Sequence, residues 1–210
     1  MANNFIIAVD GTAASGKGTI SSILAKHYNL SYLDTGLSYR AVAFQVLENN
    51  ILHNDNEKIL KVARDLDLGN LNKEILSSDI IGRTASIIAT NKDLRTILVK
   101  KQQEFAQNAT NGAILDGRDI GSVVCPNAQL KFFVDADVKI RAERRFKQFN
   151  RQISLQEILD QLIDRDNRDK NRPVGALMKL DDAILIDTTN LTIEEAVNRT
   201  KSFINPLLKQ

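Results

Sequence analysis

The stretch VDGTAASGKGT, from Val9 to Thr19, places three glycines and one lysine between an apolar run and a helical pattern. It fits the pattern G-x-x-x-x-G-K, in which a glycine-rich backbone turns successive N–H groups into one cavity. The helix that follows adds the positive end of its dipole, and Lys17 adds a mobile charge. Because the order strand, loop, helix is present, we interpret this stretch as a loop that encloses the phosphates of a nucleoside triphosphate, rather than as a glycine-rich turn.

The loop departs from the commonest form of this motif at one position. Lys17 is followed by Gly18, where a serine or threonine hydroxyl normally contacts Mg²⁺. Thr19 is then a candidate for binding phosphate, with Mg²⁺ held largely through waters near Asp10 or Asp116. The predicted triphosphate site comprises the whole loop: Gly11, Thr12, Ala13, Ala14, Ser15, Gly16, Lys17, Gly18 and Thr19.

Short apolar runs alternate with helical patterns along the rest of the chain. The runs at 5–9, 112–115, 130–136 and 183–187 are almost continuously apolar and predict buried strands. Such strands, separated by helices, indicate an α/β fold with a parallel sheet covered on both faces. With 210 residues we expect a single domain. The stretch 66–83 has turn signals and predicts a small insertion outside the sheet, either a hairpin or a short helical lid.

Apolar spacing and capping residues predict details of the helices. Ile23 should lie inward on the first helix, and Ile193 and Phe203 should lie inward on the last. Asp93 and Ser154 stand where two further helices should begin, and we expect both to act as N-caps.

Composition restricts the class of protein. The net charge of +2 is too small to indicate nucleic acid or an anionic membrane as a partner. The single cysteine, Cys125, excludes a disulfide framework within the chain, and its apolar surroundings predict a core residue. Neither a secretion signal nor a run of about 20 apolar residues is visible, so the expected location is the cytoplasm.

Polar residues follow two of the expected strands. DTGLSYR, residues 34–40, supplies Thr35, Tyr39 and Arg40, and LDGRDIG, residues 115–121, supplies Arg118 and Asp119. Open α/β sheets bind ligands at the edge formed by the carboxyl ends of their strands. Arg118 therefore either faces a ligand at this edge or forms a surface salt bridge.

Two further stretches are rich in arginine. In DRDNRDKNRP, residues 164–173, spacing places Arg165, Arg168, Asp169 and Arg172 on one helix face. In IRAERRFKQF, residues 140–149, the basic residues are Arg141, Arg144 and Arg145. Each stretch is either a solvated helix face with i,i+4 pairs or a cluster that binds phosphate.

These parts together suggest phosphoryl transfer between two phosphorylated molecules. Catalysis of that reaction is mainly positioning and electrostatic stabilisation. A phosphate acceptor is already an anionic nucleophile near neutral pH, which agrees with a sequence that offers no His–Asp or Cys–His arrangement. Guanidinium groups are suited to bringing two anions together.

Five segments occur in the order and near the spacing of one family: DGTAASGKGT, LDTGLSYRAVA, LDGRDIGSVVCPNAQLKFFVDA, RDNRDKNRP and LIDTTNLTIEEAV. Over nearly its whole length the chain resembles the bacterial cytidylate kinases. The resemblance implies a P-loop kinase fold over residues 1–210, with a nucleotide-binding insertion at about 66–83 and a lid at about 140–172. The insertion is shorter than in many bacterial relatives. The resemblance also implies transfer of phosphate from Mg·ATP to CMP or dCMP, by a protein that we expect to be a monomer.

The resemblance assigns roles to particular residues. Lys17, Arg118, Arg145 and Arg172 would be catalytic, and Arg141 and Arg144 would join the loop in binding ATP. Asp119 would accept a hydrogen bond from the exocyclic amine of cytosine, which uracil lacks. The predicted CMP site comprises Thr35, Tyr39, Arg40, Ser86, Arg95, Arg118, Asp119, Arg165, Asp169 and Arg172.

Two other functions fit part of the sequence. Another nucleoside monophosphate kinase, for adenylate or uridylate, would need a different base pocket. A nucleotide-dependent switch usually carries the guanine-reading motif N-K-x-D. ATNKDLR contains Asn91, Lys92 and Asp93 without the intervening residue, and we interpret this near-match as chance.

Overall fold

A computed structural model gives the fold and describes residues 5–148 and 153–208. Its strands are β1 (Ile6–Gly11), β2 (Ser31–Asp34), β3 (Ala113–Gly117), β4 (Leu130–Asp135) and β5 (Ile184–Asp187). The helices are α1 (Lys17–Tyr28), α2 (Thr35–Glu48), α3 (Asn56–Asp65), α4 (Asp79–Ile88), α5 (Lys92–Asn108), α6 (Val138–Gln148), α7 (Leu155–Asn171) and α8 (Ile193–Leu208). Residues 149–152 of the expected lid lie outside the described residues.

The strands form one sheet in the order β2-β3-β1-β4-β5, and every pairing is parallel. β1, β3, β4 and β5 lie at the four apolar runs of the sequence. β2 is less apolar because it is an edge strand that pairs with β3 alone. The predicted parallel sheet is therefore confirmed.

Both faces of the central strands β1 and β3 are buried, as their near-continuous apolar sequences predict, whereas Leu185 of the edge strand β5 is exposed. Ile7 and Val9 of β1 pack in one core with residues of α1 and α8. Ala8, between them, packs on the opposite face with residues of β3 and α5.

The register aligns the carboxyl ends of the strands. Asp10 pairs with Gly117, Asp34 with Asp116, and Asp135 with Asp187. An aspartate therefore stands at the last or next-to-last position of every strand in the described sheet. All of them lie at the edge where parallel α/β sheets bind ligands.

The insertion is helical. After two short 3-10 turns, α4 packs through Ile81, Ala85 and Ile88 into a second core formed with α2, α3 and α5. The i, i+4, i+7 spacing of these three residues gives α4 its apolar face. We call residues 66–88 the arm.

Three side chains expected in the core are exposed instead. Ile23 is 38% exposed, and on α8 Ile193 is 57% and Phe203 38% exposed. The buried stripe of α1 runs through Ile20, Ser21, Leu24 and Ala25, because small residues allow the helix to approach the sheet closely. On α8 the buried residues are Ala196, Val197, Thr200 and Ile204. Apolar spacing alone missed these small and polar core positions.

The capping expectations have mixed outcomes. Ser154 caps α7 by accepting a hydrogen bond from the Glu157 N–H. Asn91, not Asp93, caps α5, and its Oδ1 accepts from the N–H groups of Asp93 and Leu94.

Cys125 is a buried core residue whose thiol pKa is raised by burial to about 11. In the described ranges, every helix is too short or too polar to cross a bilayer.

Replacing Gly11 with alanine should lower the free energy of unfolding by about 1–3 kcal/mol. A Cβ on Gly11 would overlap the backbone carbonyl of Val134 on the paired strand β4, and neither backbone can shift without disturbing the register. Thermal unfolding should show a midpoint several degrees below that of the wild type. Gly18→Ala is the matched control in the same loop, since its Cβ would find its nearest atoms at 3.5 and 3.6 Å. Equal losses in the two variants would contradict this account.

Candidate active site

The glycine-rich loop joins β1 to α1, and its shape is held from outside by three side chains. The Ala13 carbonyl accepts from Arg141 Nη1 at 3.1 Å, and the Ser15 carbonyl accepts from Thr188 Oγ1 at 2.8 Å. Thr12 Oγ1 donates to Asp135 Oδ1 at 2.6 Å. Two carbonyls of the loop are thus turned toward the protein, as a loop that presents its N–H groups to an anion requires.

Gly16 connects this loop to α1. Its φ of +89° lies in the left-handed region that favours glycine, and it caps α1 without a side-chain hydrogen bond. The first N–H groups of α1 thus face the loop with no side-chain cap from Gly16, which is the arrangement that binds phosphate.

Lys17 and Asp116 form a buried pair beside the loop. Lys17 Nζ lies 3.8 Å from Asp116 Oδ1, and Asp116 Oδ2 accepts from Tyr32 Oη at 2.5 Å. Burial lowers the pKa of Lys17 to about 8 and raises the pKa of Asp116 to about 6. The pair therefore places one cationic and one anionic group beside the glycine-rich loop.

Asp10, one of the two carboxylates suggested by sequence for contact with Mg²⁺ through water, accepts two backbone hydrogen bonds. Its two carboxylate oxygens accept the N–H groups of Ile120 at 2.7 Å and Gly121 at 2.8 Å. Burial raises the pKa of Asp10 to about 6 despite these bonds. Asp10 thus holds the turn that follows β3, whereas Asp116 lies beside Lys17. Contact of either carboxylate with Mg²⁺ through water stays a prediction.

Arg118, in the turn after β3, forms an ion pair with Asp169 of α7. Arg118 Nε lies 2.6 Å from Asp169 Oδ2 on α7, and Arg165 Nε lies 3.9 Å from the same oxygen. The helix face predicted for 165–172 is therefore directed inward, not solvated, although Arg168 on it is exposed. α7 ends at Asn171, so Arg172 is its C-cap.

Asp119 is shared by two guanidinium groups. Arg95 Nη2 contacts Asp119 Oδ2, and Arg172 Nη2 lies 3.2 Å from Asp119 Oδ1. The Arg95 guanidinium also lies 5.6 Å from the centre of the Tyr39 ring, a cation–π distance. Residues far apart in sequence thus form one compact group.

One cleft of about 620 Å³ joins the loop to this group. Thr35 and Ser86 also line it, and the Thr35 hydroxyl donates to the Asp116 carbonyl at 2.8 Å. Among the described residues, the charged side chains in its lining are eight cations and four carboxylates: Lys17, Arg40, Arg95, Arg118, Arg145, Arg165, Arg168 and Arg172, with Asp34, Asp116, Asp119 and Asp169.

Burial and neighbouring cations together lower the pKa of three arginines in the cleft. Burial and then the neighbouring Arg118 lower the pKa of Arg165 to about 10. The pKa of Arg40 is lowered by burial and next by Arg145, and that of Arg172 by burial and also by Arg95. Bound anions would relieve this repulsion, so the cleft is suited to more than one phosphate group.

The arm holds two of the arginines. Arg40 Nη1 donates to the backbone carbonyls of Leu76 at 2.7 Å and Ser78 at 3.2 Å. A Cβ on Gly82 would lie 2.7 Å from Arg40 Nη2, so glycine leaves room for the guanidinium. Arg145 Nη2 lies 3.0 Å from Asp79 Oδ1, which connects α6 to the first turn of α4.

The other two predicted lid arginines brace the protein. Arg141 is buried and donates to the carbonyls of Ala136 and Ala13 and to Asp166 Oδ2. Arg144 donates to Thr188 Oγ1 at 3.1 Å and to the Thr188 carbonyl at 2.5 Å. Neither lines the cleft, whereas Arg145 does. Direct contact of Arg141 and Arg144 with ATP stays a prediction.

Sequence reasoning missed four residues that shape the site. Tyr32 and Thr188 stand in β2 and just after β5, where a polar residue near a strand end was the available signal. Gly82 and Gly175 make room for Arg40 and for the pair of Asp119 with Arg95. Gly175 has a φ of +63°, and its carbonyl accepts from Arg172 Nε. The spacing of single glycines gave no signal of these contacts.

Comparison with known proteins gives a consistent result. A family model described as cytidylate kinase matches residues 7–205. The chain is 45% identical over 208 residues to a cytidylate kinase of Bartonella tribocorum, covering 98% of this chain and 96% of that protein. It is 44% identical over 209 residues to a cytidylate kinase of Brucella suis biovar 1, covering 98% and 95%. The crystal structure of an uncharacterized protein from Eubacterium ventriosum shares the fold, with a TM-score of 0.57, 14% identity and coverage of 96% and 98%.

Replacing Arg141 with methionine should lower the free energy of unfolding by about 3 kcal/mol, because it leaves the buried Asp166 carboxylate without its cation. Urea unfolding measures this loss. The double variant Arg141→Met/Asp166→Leu removes both charges and should recover part of it. A single variant as stable as the wild type would show that the brace contributes nothing.

Proposed function

The chain belongs to the cytidylate kinase family, and we propose that it catalyses the family's reaction by positioning and by arginine electrostatics, without a general base. It transfers the γ-phosphoryl group of ATP to CMP or dCMP, giving ADP and CDP or dCDP. The observation that supports the proposed mechanism is the cleft that joins the loop to the residues around Asp119, in which eight cations and four carboxylates among the described residues form part of the lining.

On the donor side, the loop and Lys17 bind the phosphates of ATP. Mg²⁺, when bound, neutralises charge between the phosphates and orients them. Among the described residues, no group of three His, Cys, Asp or Glu could hold a metal ion directly. Asp116 beside Lys17 fits contact through water, as expected for a magnesium ion that keeps several waters.

On the acceptor side, Arg40, Arg118 and Arg172 bind the phosphate of CMP. Arg165 and Asp169 lie toward the ribose, and Tyr39, Ser86, Arg95 and Asp119 surround the base. The Asp119 carboxylate already contacts two guanidinium groups, yet its two oxygens offer about four lone-pair sites. It can therefore accept the cytosine amine while the arginines hold its orientation.

The chemistry requires little from a base. A phosphate monoester has a second pKa of about 6, so the acceptor is mostly a dianion at neutral pH and can attack the γ-phosphorus as it stands. The obstacle is repulsion between two anions. Lys17, Arg118 and Arg145 reduce it and stabilise the charge on the transferred group in the transition state.

The reaction is tested by ADP release from Mg·ATP with CMP, dCMP, UMP, AMP or GMP as acceptor, and with no acceptor. We expect rapid turnover with CMP and dCMP only. Turnover with AMP alone would indicate an adenylate kinase, and turnover without any acceptor would favour a nucleotide-hydrolysing switch.

Replacing Asp119 with asparagine should reduce the preference for CMP over UMP by about tenfold or more, because the cytosine amine loses a charged acceptor. The ratio of kcat/KM for the two acceptors measures this, since any change in the hold on Arg95 and Arg172 affects both. The KM for ATP should stay the same. An unchanged CMP/UMP ratio would refute the base-reading role of Asp119.

A further inference from the structure

The loop lacks the hydroxyl that phosphate-binding loops of this type usually present after the lysine, because residue 18 is glycine. The structure shows where a side chain at that position would point. A Cβ on Gly18 would lie 3.5 Å from Tyr32 Oη and 3.6 Å from Asp116 Oδ2. Both are ordinary van der Waals distances, and the space in front of Gly18 is thus bordered by a phenol oxygen and a carboxylate oxygen.

The phenol oxygen belongs to a side chain that reaches the loop from another element. Tyr32 stands on the edge strand β2, and its hydroxyl donates to Asp116 Oδ2 at 2.5 Å. The same oxygen lies 3.4 Å from the Gly18 carbonyl. Burial and the neighbouring Asp116 raise the pKa of Tyr32, so the group remains a neutral hydroxyl that can donate.

We propose that the Tyr32 hydroxyl takes the place of the loop hydroxyl that Gly18 lacks, and that it is a positioning residue for metal–nucleotide binding. By donating to Oδ2, Tyr32 fixes the plane of the Asp116 carboxylate, which leaves Oδ1 toward Lys17. The inference rests on the proposed role of Asp116 in holding Mg²⁺ through water. In other loops of this type the hydroxyl group belongs to the loop itself, whereas here it belongs to a residue of β2.

The first test compares Tyr32→Phe with a matched control, Tyr28→Phe. Tyr28 also donates a 2.5 Å hydrogen bond, but to Asn205 Oδ1 where α1 meets α8. Calorimetry measures ADP binding with Mg²⁺ and with EDTA, without any acceptor. We expect Tyr32→Phe to weaken Mg·ADP binding about tenfold, with little change for metal-free ADP. Tyr28→Phe should change neither. Equal weakening of both forms of ADP, or none, would overturn the proposal.

The second test moves the hydroxyl back into the loop. Gly18→Ser in the Tyr32→Phe background should restore most of the Mg·ADP affinity, because its oxygen enters the space that the phenol oxygen leaves. In the wild-type background Gly18→Ser should give no gain, since Tyr32 Oη already occupies that space. Failure of the double variant to recover would overturn the replacement.

A third measurement needs no variant and applies even if Tyr32→Phe fails to fold. The chain has three tyrosines, which ring-labelled tyrosine resolves by NMR. Mn²⁺ added to the ADP complex should broaden the Tyr32 signal more strongly than that of Tyr28, which lies at the far end of α1. A sharp Tyr32 signal would overturn the proposal. These readouts use ADP and metal alone, so a failure of the CMP assay is distinguishable from a failure here.

Discussion

The alignment of the strand ends is the constraint on which the rest of the site depends. Parallel pairing brings an aspartate to the same edge from each strand, and a row of five carboxylates alone would repel itself. Each one is satisfied by a different partner. Asp10 accepts two N–H groups of a turn, Asp34 caps α2, Asp116 meets Tyr32 and Lys17, Asp135 accepts from Thr12, and Asp187 accepts from Thr189. The sheet edge thereby becomes a frame that fixes the loops around the cleft.

The arginines add positive charge next to this row of carboxylates. Asp119 and Asp169 each hold guanidinium groups from more than one element, so this part of the cleft is ordered without a substrate. Cations still exceed carboxylates, and burial together with the neighbouring Arg118 lowers the pKa of Arg165. Such a cleft is organised to receive anions, which reduces the reorganisation needed when two phosphates meet.

Much of this could be predicted from sequence, where local chemistry decides position. The loop follows from its glycine spacing, and the arginines and aspartates after β3 and on α7 follow from polar residues at strand ends and helical spacing. The sequence did not predict the direction in which each side chain points. Arg141 shares a basic helix with Arg145, yet it points into the protein toward Ala13 and Asp166. Asp10 is near the loop in sequence, yet its oxygens serve a turn 110 positions further along the chain. Tyr32 was missed because its partner, Asp116, is 84 positions away.

The arm holds Arg40 through its backbone and not through its side chains, and this determines which residues of the arm can be replaced. The two groups that accept from Arg40 are backbone carbonyls, at Leu76 and Ser78. A carbonyl is present whatever side chain the residue bears, so drift in the identity of these two residues leaves the acceptors in place as long as the turn keeps its shape. Gly82 is the exception, since any larger residue there would meet the guanidinium. A segment of this kind is free to diverge in sequence between species while its contact with the Arg40 guanidinium is preserved.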